Sequence, residues 1–346
     1  LAPAATERDL FMLLPGLALF MSALALPREA WRQLLWWFVA LVAFSVVLAF
    51  AQLGVPQDSF LNPFPQYAPT LNGVFANQNH QACAIAMGLM LLLALLFNAV
   101  RRMQHGERTH AIVITCAILA VMFAAILPLI GSRAGVIIGI IGAAVTLLAC
   151  GAWPLQKIRN QRSTFWFSAF AVIVLAIGLY GAFAWMSHDT AMDALRPQMA
   201  AATAHLAGAS MPLGGGGGSF VRMFEQFTQG SLMHQEGGYI NAAHNDYLQW
   251  WYAGGALAII SMLATAAVLI VALVRLLKLP RESGLRITGI GALLAILVPL
   301  LHSTVDYPLR TPALMTVFGM LAGIAVAAGM RAKQRLAGTP ASSTPS

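Results

Sequence analysis

Residues 241–278 read NAAHNDYLQWWYAGGALAIISMLATAAVLIVALVRLLK, and this stretch decides how the rest of the chain is read. From Leu248 to Val274 it carries no charged residue, a length sufficient to cross the roughly 30 Å hydrocarbon core of a bilayer as helix. His244, Asn245 and Asp246 precede the run, and Arg275 and Lys278 follow it. A polar head, an apolar rod and a basic foot predict a transmembrane helix with a defined direction.

Eight further apolar runs lie at about 10–26, 34–53, 81–99, 110–130, 134–153, 164–186, 285–302 and 312–330. The chain has 346 residues, of which 59% are hydrophobic and 9% charged, far under the roughly 25% charged share of a soluble domain. It therefore reads as an all-α polytopic membrane protein of about nine spans, the first being the weakest. Residues 1–335 form one membrane-embedded domain with extracytoplasmic loops at 54–80 and 187–247. Residues 336–346, rich in Ala, Ser, Thr and Pro, form a disordered cytoplasmic tail. The first loop is dense in Pro and Asn and predicts irregular structure. The second opens with an Ala-rich stretch, 190–209, that predicts a short helix at the interface.

The basic residues alternate with the spans. Arg28 and Arg32 follow span one, Arg101, Arg102 and Arg108 span three, and Lys157, Arg159 and Arg162 span five. Arg275, Lys278, Arg281 and Arg286 follow span seven, and Arg331, Lys333 and Arg335 span nine. Short cytoplasmic loops accumulate Lys and Arg, so this side is the cytoplasm, and the formal charge of +8 is mostly a topological signal. It does not argue for nucleic acid, although basic loops also suit anionic lipid headgroups. An odd span count puts the N-terminus outside; with Leu1 first, the chain is expected to be a fragment lacking upstream spans, and no signal peptide of the usual layout is visible. Cys83, Cys116 and Cys150 lie in or at the end of spans and read as small packing residues.

Setting Arg8 aside, the opposite side keeps only Arg133, Arg196, Arg222 and Arg310. Guanidinium grips phosphate oxygens bidentately and stays charged at any relevant pH. Arg133 lies in the tight turn Gly131-Ser132-Arg133-Ala134-Gly135, and Arg310 in the Pro-interrupted turn after His302-Ser303-Thr304-Val305-Asp306-Tyr307-Pro308-Leu309. Charge at membrane depth is costly and usually functional, so both read as anion contacts; the alternative for Arg310 is a local ion pair with Asp306. Arg222 follows the run Gly214 to Gly218, which is either a backbone anion site or a hinge. The run lacks the Lys-Ser/Thr ending of a nucleotide loop. Arg196, beside Pro197, is the weakest of the four as an anion contact and reads equally as a snorkelling interfacial residue.

His244 at a membrane surface suits a general base toward a hydroxyl, with Asn245 or Asp246 as helix cap or orienting partner. Asn77 and Asn79, with His80 and Gln81, form a polar cluster at the entry to span three that suits either sugar hydroxyls or capping. His188, His205 and His234 are scattered, at spacings unlike a metal site, and no metal or other cofactor is expected.

Together these segments resemble the bacterial O-antigen ligase family, which includes related polymerases and protein O-oligosaccharyltransferases. The likeness covers about residues 70–320. It is carried by Gly-x-Phe-x-Asn-x-Asn at 73–79, Gly-Ser-Arg at 131–133, Gly-x-Gly-Ser-Phe at 216–220, His244 with Gly255 eleven residues on, and the segment 302–310. Tyr252-Ala253 stands where relatives often place a Glu before the glycine. The resemblance implies a metal-independent inverting glycosyltransferase of the bacterial inner membrane, with its active site facing the periplasm. It implies a polyprenyl-diphosphate-linked glycan as donor and a hydroxyl of lipid A core as acceptor, His244 as activating base, and Arg133, Arg222 and Arg310 as holders of the diphosphate. Asn77, Asn79, Asn245, Asp246, His302 and Asp306 would contact glycan or orient these groups. A second glycan repeat or a protein as acceptor fits the motifs equally well. A carrier of anionic lipids is the reading from another class.

Overall fold

A computed structural model describes residues 3–65, 70–151, 191–228 and 240–338. Among these the architecture is all helical. The helices are α1 (Pro3–Phe11), α2 (Leu14–Ala25), α3 (Arg28–Leu53), α4 (Gln78–Gln104), α5 (His110–Ile126) and α6 (Arg133–Thr146). After the undescribed stretch 152–190 come α7 (Ala191–Ala209), α8 (Phe220–Thr228), α9 (Asp246–Leu277), α10 (Gly284–His302) and α11 (Pro312–Leu336). Among the described residues seven helical segments are long and apolar enough to cross a membrane, α5 and α6 reaching that length only with the helical turns Leu127–Ile130 and Leu147–Gly151 that continue them.

The sequence expectation of nine spans meets the structure at seven. The sixth run, 164–186, lies outside the described residues. The first, 10–26, is broken at Met12–Leu13 because Pro15 restarts the chain as α2, and a proline belongs in a helix's first turn. Twelve residues of helix reach only about 18 Å, short of a crossing. Of the expected tail, Leu336 ends α11, residues 337–338 form a turn, and 339–346 lie outside the described residues.

The centre of the bundle is α4, whose side chains are buried almost without interruption from His80 to Val100. Its neighbours approach through small residues: a Cβ on Gly291 of α10 would strike Ala94, one on Gly88 would strike Phe123 of α5, and one on Gly135 of α6 would strike Ala82. Lipid tails give helices no hydrophobic reason to associate, so close packing through small residues supplies the attraction. The same device seats α2 on α11, where Gly319 and Gly323, four residues apart, face the backbone of Gly16 and Phe20. Trp31 fixes the α2–α3 corner by donating Nε1–H to Ala23 O at 2.8 Å, and Arg331 lies over its ring at 4.2 Å. The outward faces stay apolar, as Trp37, Leu41 and Phe44 on α3 and Leu257, Ile260 and Leu263 on α9 show. In water such faces would aggregate; in a bilayer they meet solvent of their own kind.

Two polar devices fix the loops over the bundle. Loop 54–80 is tied to α3 by Gln52, which donates to Leu61 O and Gly73 O and accepts from Gly73 N, and by Ser45, which donates to Gln81 and accepts from Val74 N. Gly73 has φ +59°, and a Cβ there would collide with Ser45, which explains the first position of the 73–79 motif.

The second device is a break in α9. Gly255 has φ +53° and ψ −132°, so the carbonyls just before it lose their helical partners. Tyr252 O accepts from Gly215 N at 2.7 Å, Ala253 O from Gly216 N at 3.0 Å, and Ala256 N donates to Pro212 O at 2.9 Å. The glycine run is thus zipped to the break, where any Cβ on Gly215 would enter the Tyr252 ring. The Ala-rich stretch is helix α7, and it packs with α8 and Tyr252 in a small core of its own around Met199, Phe220 and Phe224.

Candidate functional site

The end of the bundle where α4 and α9 begin and α10 finishes gathers the polar residues. Asn245 caps α9, accepting from Leu248 N at 3.0 Å and donating to Thr304 O at 2.9 Å. Asp246, 1% exposed, turns its Oδ2 to Ser303 Oγ at 2.8 Å and Leu309 N at 3.0 Å, while its own amide donates to Ser303 O. This clamps the start of α9 to the turn 303–310. Tyr247 adds a bond from its hydroxyl to Leu300 O at 2.7 Å.

That clamp brings together two residues 62 positions apart. His244 Nδ1 lies 3.1 Å from Asp306 Oδ1, which also accepts from Tyr307 N at 3.0 Å. Burial pushes the Asp306 carboxyl up, but the His244 hydrogen bond and charge on the imidazoles of His80, His244 and His302 outweigh it and hold it well below the usual carboxylate range. An ionised carboxylate only accepts hydrogen bonds. In the 3.1 Å contact Nδ1 is therefore the donor, and Nε2 is the ring nitrogen left for another partner. The side chain keeps 14% of its surface exposed. His244 is also the one non-glycine residue with positive φ, +48°, among the described residues. Strain of this kind, about 1–3 kcal/mol, persists where the surroundings over-determine it.

Tyr307 stands between two imidazoles, edge-on to His244 at 4.9 Å and to His80 at 5.0 Å between ring centres. His80 Nδ1 meets Thr311 Oγ1 at 2.8 Å. His302 is buried, and neither of its ring nitrogens has a hydrogen-bond partner; nor do Asp306 Oδ2 and Asp246 Oδ1, among the described residues. Buried polar atoms left over in one place recruit water or ligand hydroxyls.

Arg310, in the Pro308–Arg310 turn, lines two cavities. One, of about 510 Å³, is mostly apolar and runs between α1, α9 and α11 past Leu13, Leu257 and Met315. The other, of about 890 Å³, is lined by Asn72, Asn77, Gln78, His80, Asn241 and Tyr307. The Asp306 pairing considered for Arg310 does not form, because Asp306 is turned to His244. Instead Arg310 faces Asp9 Oδ2 at 3.6 Å, beside Gly217.

The remaining expected site residues are not brought to one place. Asn77 lines the larger cavity and caps α4 by accepting from Asn79 N at 2.8 Å, so capping and lining are both its work. Asn79 is half-buried in the first turn of α4. Arg133 opens α6 behind the Ser132 cap, half-buried, and Arg222 lies on the exposed face of α8; neither lines the two cavities. An anion site in the glycine run meets a competing use, since the amides of Gly215 and Gly216 are spent on α9. Arg196 is half-buried on α7 and lies within electrostatic reach of buried His302. His205 is exposed, and His188 and His234 lie outside the described residues. Among the described residues no three His, Cys, Asp or Glu side chains are arranged to hold a metal ion. Sequence reasoning missed His80 and Tyr307 as neighbours of the dyad, and Asp9. His80 sits in a segment read equally for sugar hydroxyls or capping, with no link to His244, and nothing in spacing places Asp9 against Arg310.

Compared with protein-family models the chain matches none, and compared with curated proteins it likewise matches none.

Proposed function

We propose that this protein is an inverting glycosyltransferase that moves a glycan from a polyprenyl-diphosphate donor to an acceptor hydroxyl, with lipid A core as the favoured acceptor. The observation that carries the reading is Arg310 at the boundary of an apolar and a polar cavity, with Tyr307 and Asp306, the partner of His244, in the same turn. The apolar cavity suits the start of a prenyl chain, Arg310 the diphosphate, and the polar cavity the sugar hydroxyls. His244 Nε2 takes the acceptor proton as its oxygen attacks the anomeric carbon, while Asp306 holds the ring and balances the imidazolium. The bond from that carbon to the diphosphate oxygen breaks, and Arg310 offsets the charge gathering there. Arg133 and Arg222 act on the same diphosphate only if the bound donor extends to them. On this reading the site faces the periplasm from the inner membrane.

The test is transfer from a purified polyprenyl-diphosphate glycan to lipid A core, to a second donor molecule, or to a protein acceptor, with wild type, His244→Ala and Arg310→Ala. One glycosylated acceptor, lost in both variants while they stay folded, is the expected result. Donor binding without transfer to any acceptor would replace the enzyme by a carrier of anionic lipids.

A further inference from the structure

At the opposite end of the bundle a cavity of about 560 Å³ collects arginines from three helices: Arg28 at the start of α3, Arg101 near the end of α4 and Arg335 in the last turn of α11. Ser283 and Gly284, which open α10, line it too. Arg28 stands within repulsive reach of Arg335, Arg331 and Arg101, opposed by Glu29. Arg331 is occupied elsewhere, on Trp31 and Leu26 O. Arg101 donates to Asn98 of its own helix. Arg28 and Arg335 make no hydrogen bond or ion pair with a protein acceptor among the described residues. Glu282, the carboxylate that lines the cavity, lies within reach of Arg286 as well.

The topological bias that puts Arg and Lys on one side requires nothing of where their side chains meet. Convergence of guanidinium groups from three helices distant in sequence is therefore a separate fact, and it costs free energy unless an anion neutralises it. The first amides of α10 add donors, since Ser283 makes no side-chain cap and the initial N–H groups of any helix lack intrahelical partners. Buried Leu279 and Leu285 line the same cavity with Leu336, which is 50% exposed. Charge at the mouth beside open apolar surface matches an amphiphile better than a soluble anion.

We propose that this cavity is a binding site for the phosphodiester of an anionic membrane phospholipid, held by Arg28, Arg101 and Arg335 with the amino end of α10. It does not depend on the function proposed above. The site ties α3, α4, α10 and α11 through one ligand, so its occupant stabilises the bundle.

The experiment uses the full chain purified in detergent, with thermal unfolding and native mass spectrometry as readouts and phosphatidylglycerol, phosphatidylcholine and sn-glycerol 3-phosphate as probes. Phosphatidylglycerol should raise the midpoint by roughly 3 °C or more and stay bound, whereas phosphatidylcholine should do neither. Arg28→Gln with Arg335→Gln should weaken phosphatidylglycerol about tenfold or more. Arg32→Gln with Lys278→Gln, exposed charges outside the cavity, should leave it unchanged. Equal effects of the two lipids, an unaffected Arg28/Arg335 variant, or an equal loss in the Arg32/Lys278 variant would each overturn the proposal. If glycerol phosphate alone reproduces the full shift, the lipid is excluded in favour of a soluble phosphate ester. Should the Arg28/Arg335 variant fail to fold, the wild-type comparison of the two lipids still decides.

Discussion

The two polar ends of this bundle are built on opposite plans. At one end, Asp246 and Asp306 each meet hydroxyl, amide or imidazole donors, and the geometry is fixed by the protein itself. At the other, Arg28 and Arg335 converge without a hydrogen-bonded protein acceptor among the described residues. The difference teaches how to separate a charge that holds the fold from one that waits for something: the first has a carboxylate oxygen met by protein donors, the second meets guanidinium groups from other helices, with Glu29 and Glu282 nearby but not bonded to it.

The most severe way to break the paired end is His244→Ala, which should lower glycan transfer by about 10³-fold, within the range for losing a general base. The unfolding midpoint should stay near wild type, since the side chain makes one internal hydrogen bond. A comparable fall in midpoint would turn the dyad into a structural pair. Next comes Asp246→Ala, which leaves Ser303 Oγ and Leu309 N without their acceptor; we expect a loss of about 2–4 kcal/mol in denaturant unfolding, with activity falling only as folded protein falls. A stable but inactive variant would instead make Asp246 part of the chemistry.

Acid sharpens the contrast further. The Asp306 carboxyl is held low in the folded state, so the stability it contributes is fully present above about pH 4, the ordinary carboxylate range, and is lost as pH falls through the lower folded value. Asp306→Asn should flatten that acid limb in a pH series of unfolding midpoints; an unchanged limb would show that Asp306 is not held ionised by its imidazoles. The smallest effect belongs to the basic end's exposed pair. Glu107 meets Arg102 at 2.5 Å on the surface, and Glu107→Gln should leave the unfolding midpoint unmoved, because exposed ion pairs rarely contribute measurably.

Much of the bundle was legible because apolar length is visible in composition: each of the seven segments long and apolar enough to cross a membrane falls on an apolar run of the sequence. The first run is shorter as continuous helix than as composition, because Pro15 restarts the chain as α2. In the site, His244, Asp306 and Arg310 were legible as residue types on one side of the membrane. Their partners were not. The Asp306–His244 bond spans 62 positions and exists because Asp246 clamps two helix ends, a contact that no spacing encodes. Gly255 was visible as a motif position, but its use depends on Pro212 and Gly214 to Gly216 arriving at the same height.

That junction makes the long loop's attachment a main-chain affair. Because Gly215, Gly216 and Ala256 bond to carbonyl oxygens, residue identity matters there through size alone, and the attachment should outlast much sequence drift in the surrounding loop. Their amide protons should accordingly exchange with heavy water as slowly as those of the bundle interior, giving an isotopic label for when the roof lifts off the upper turns of α9.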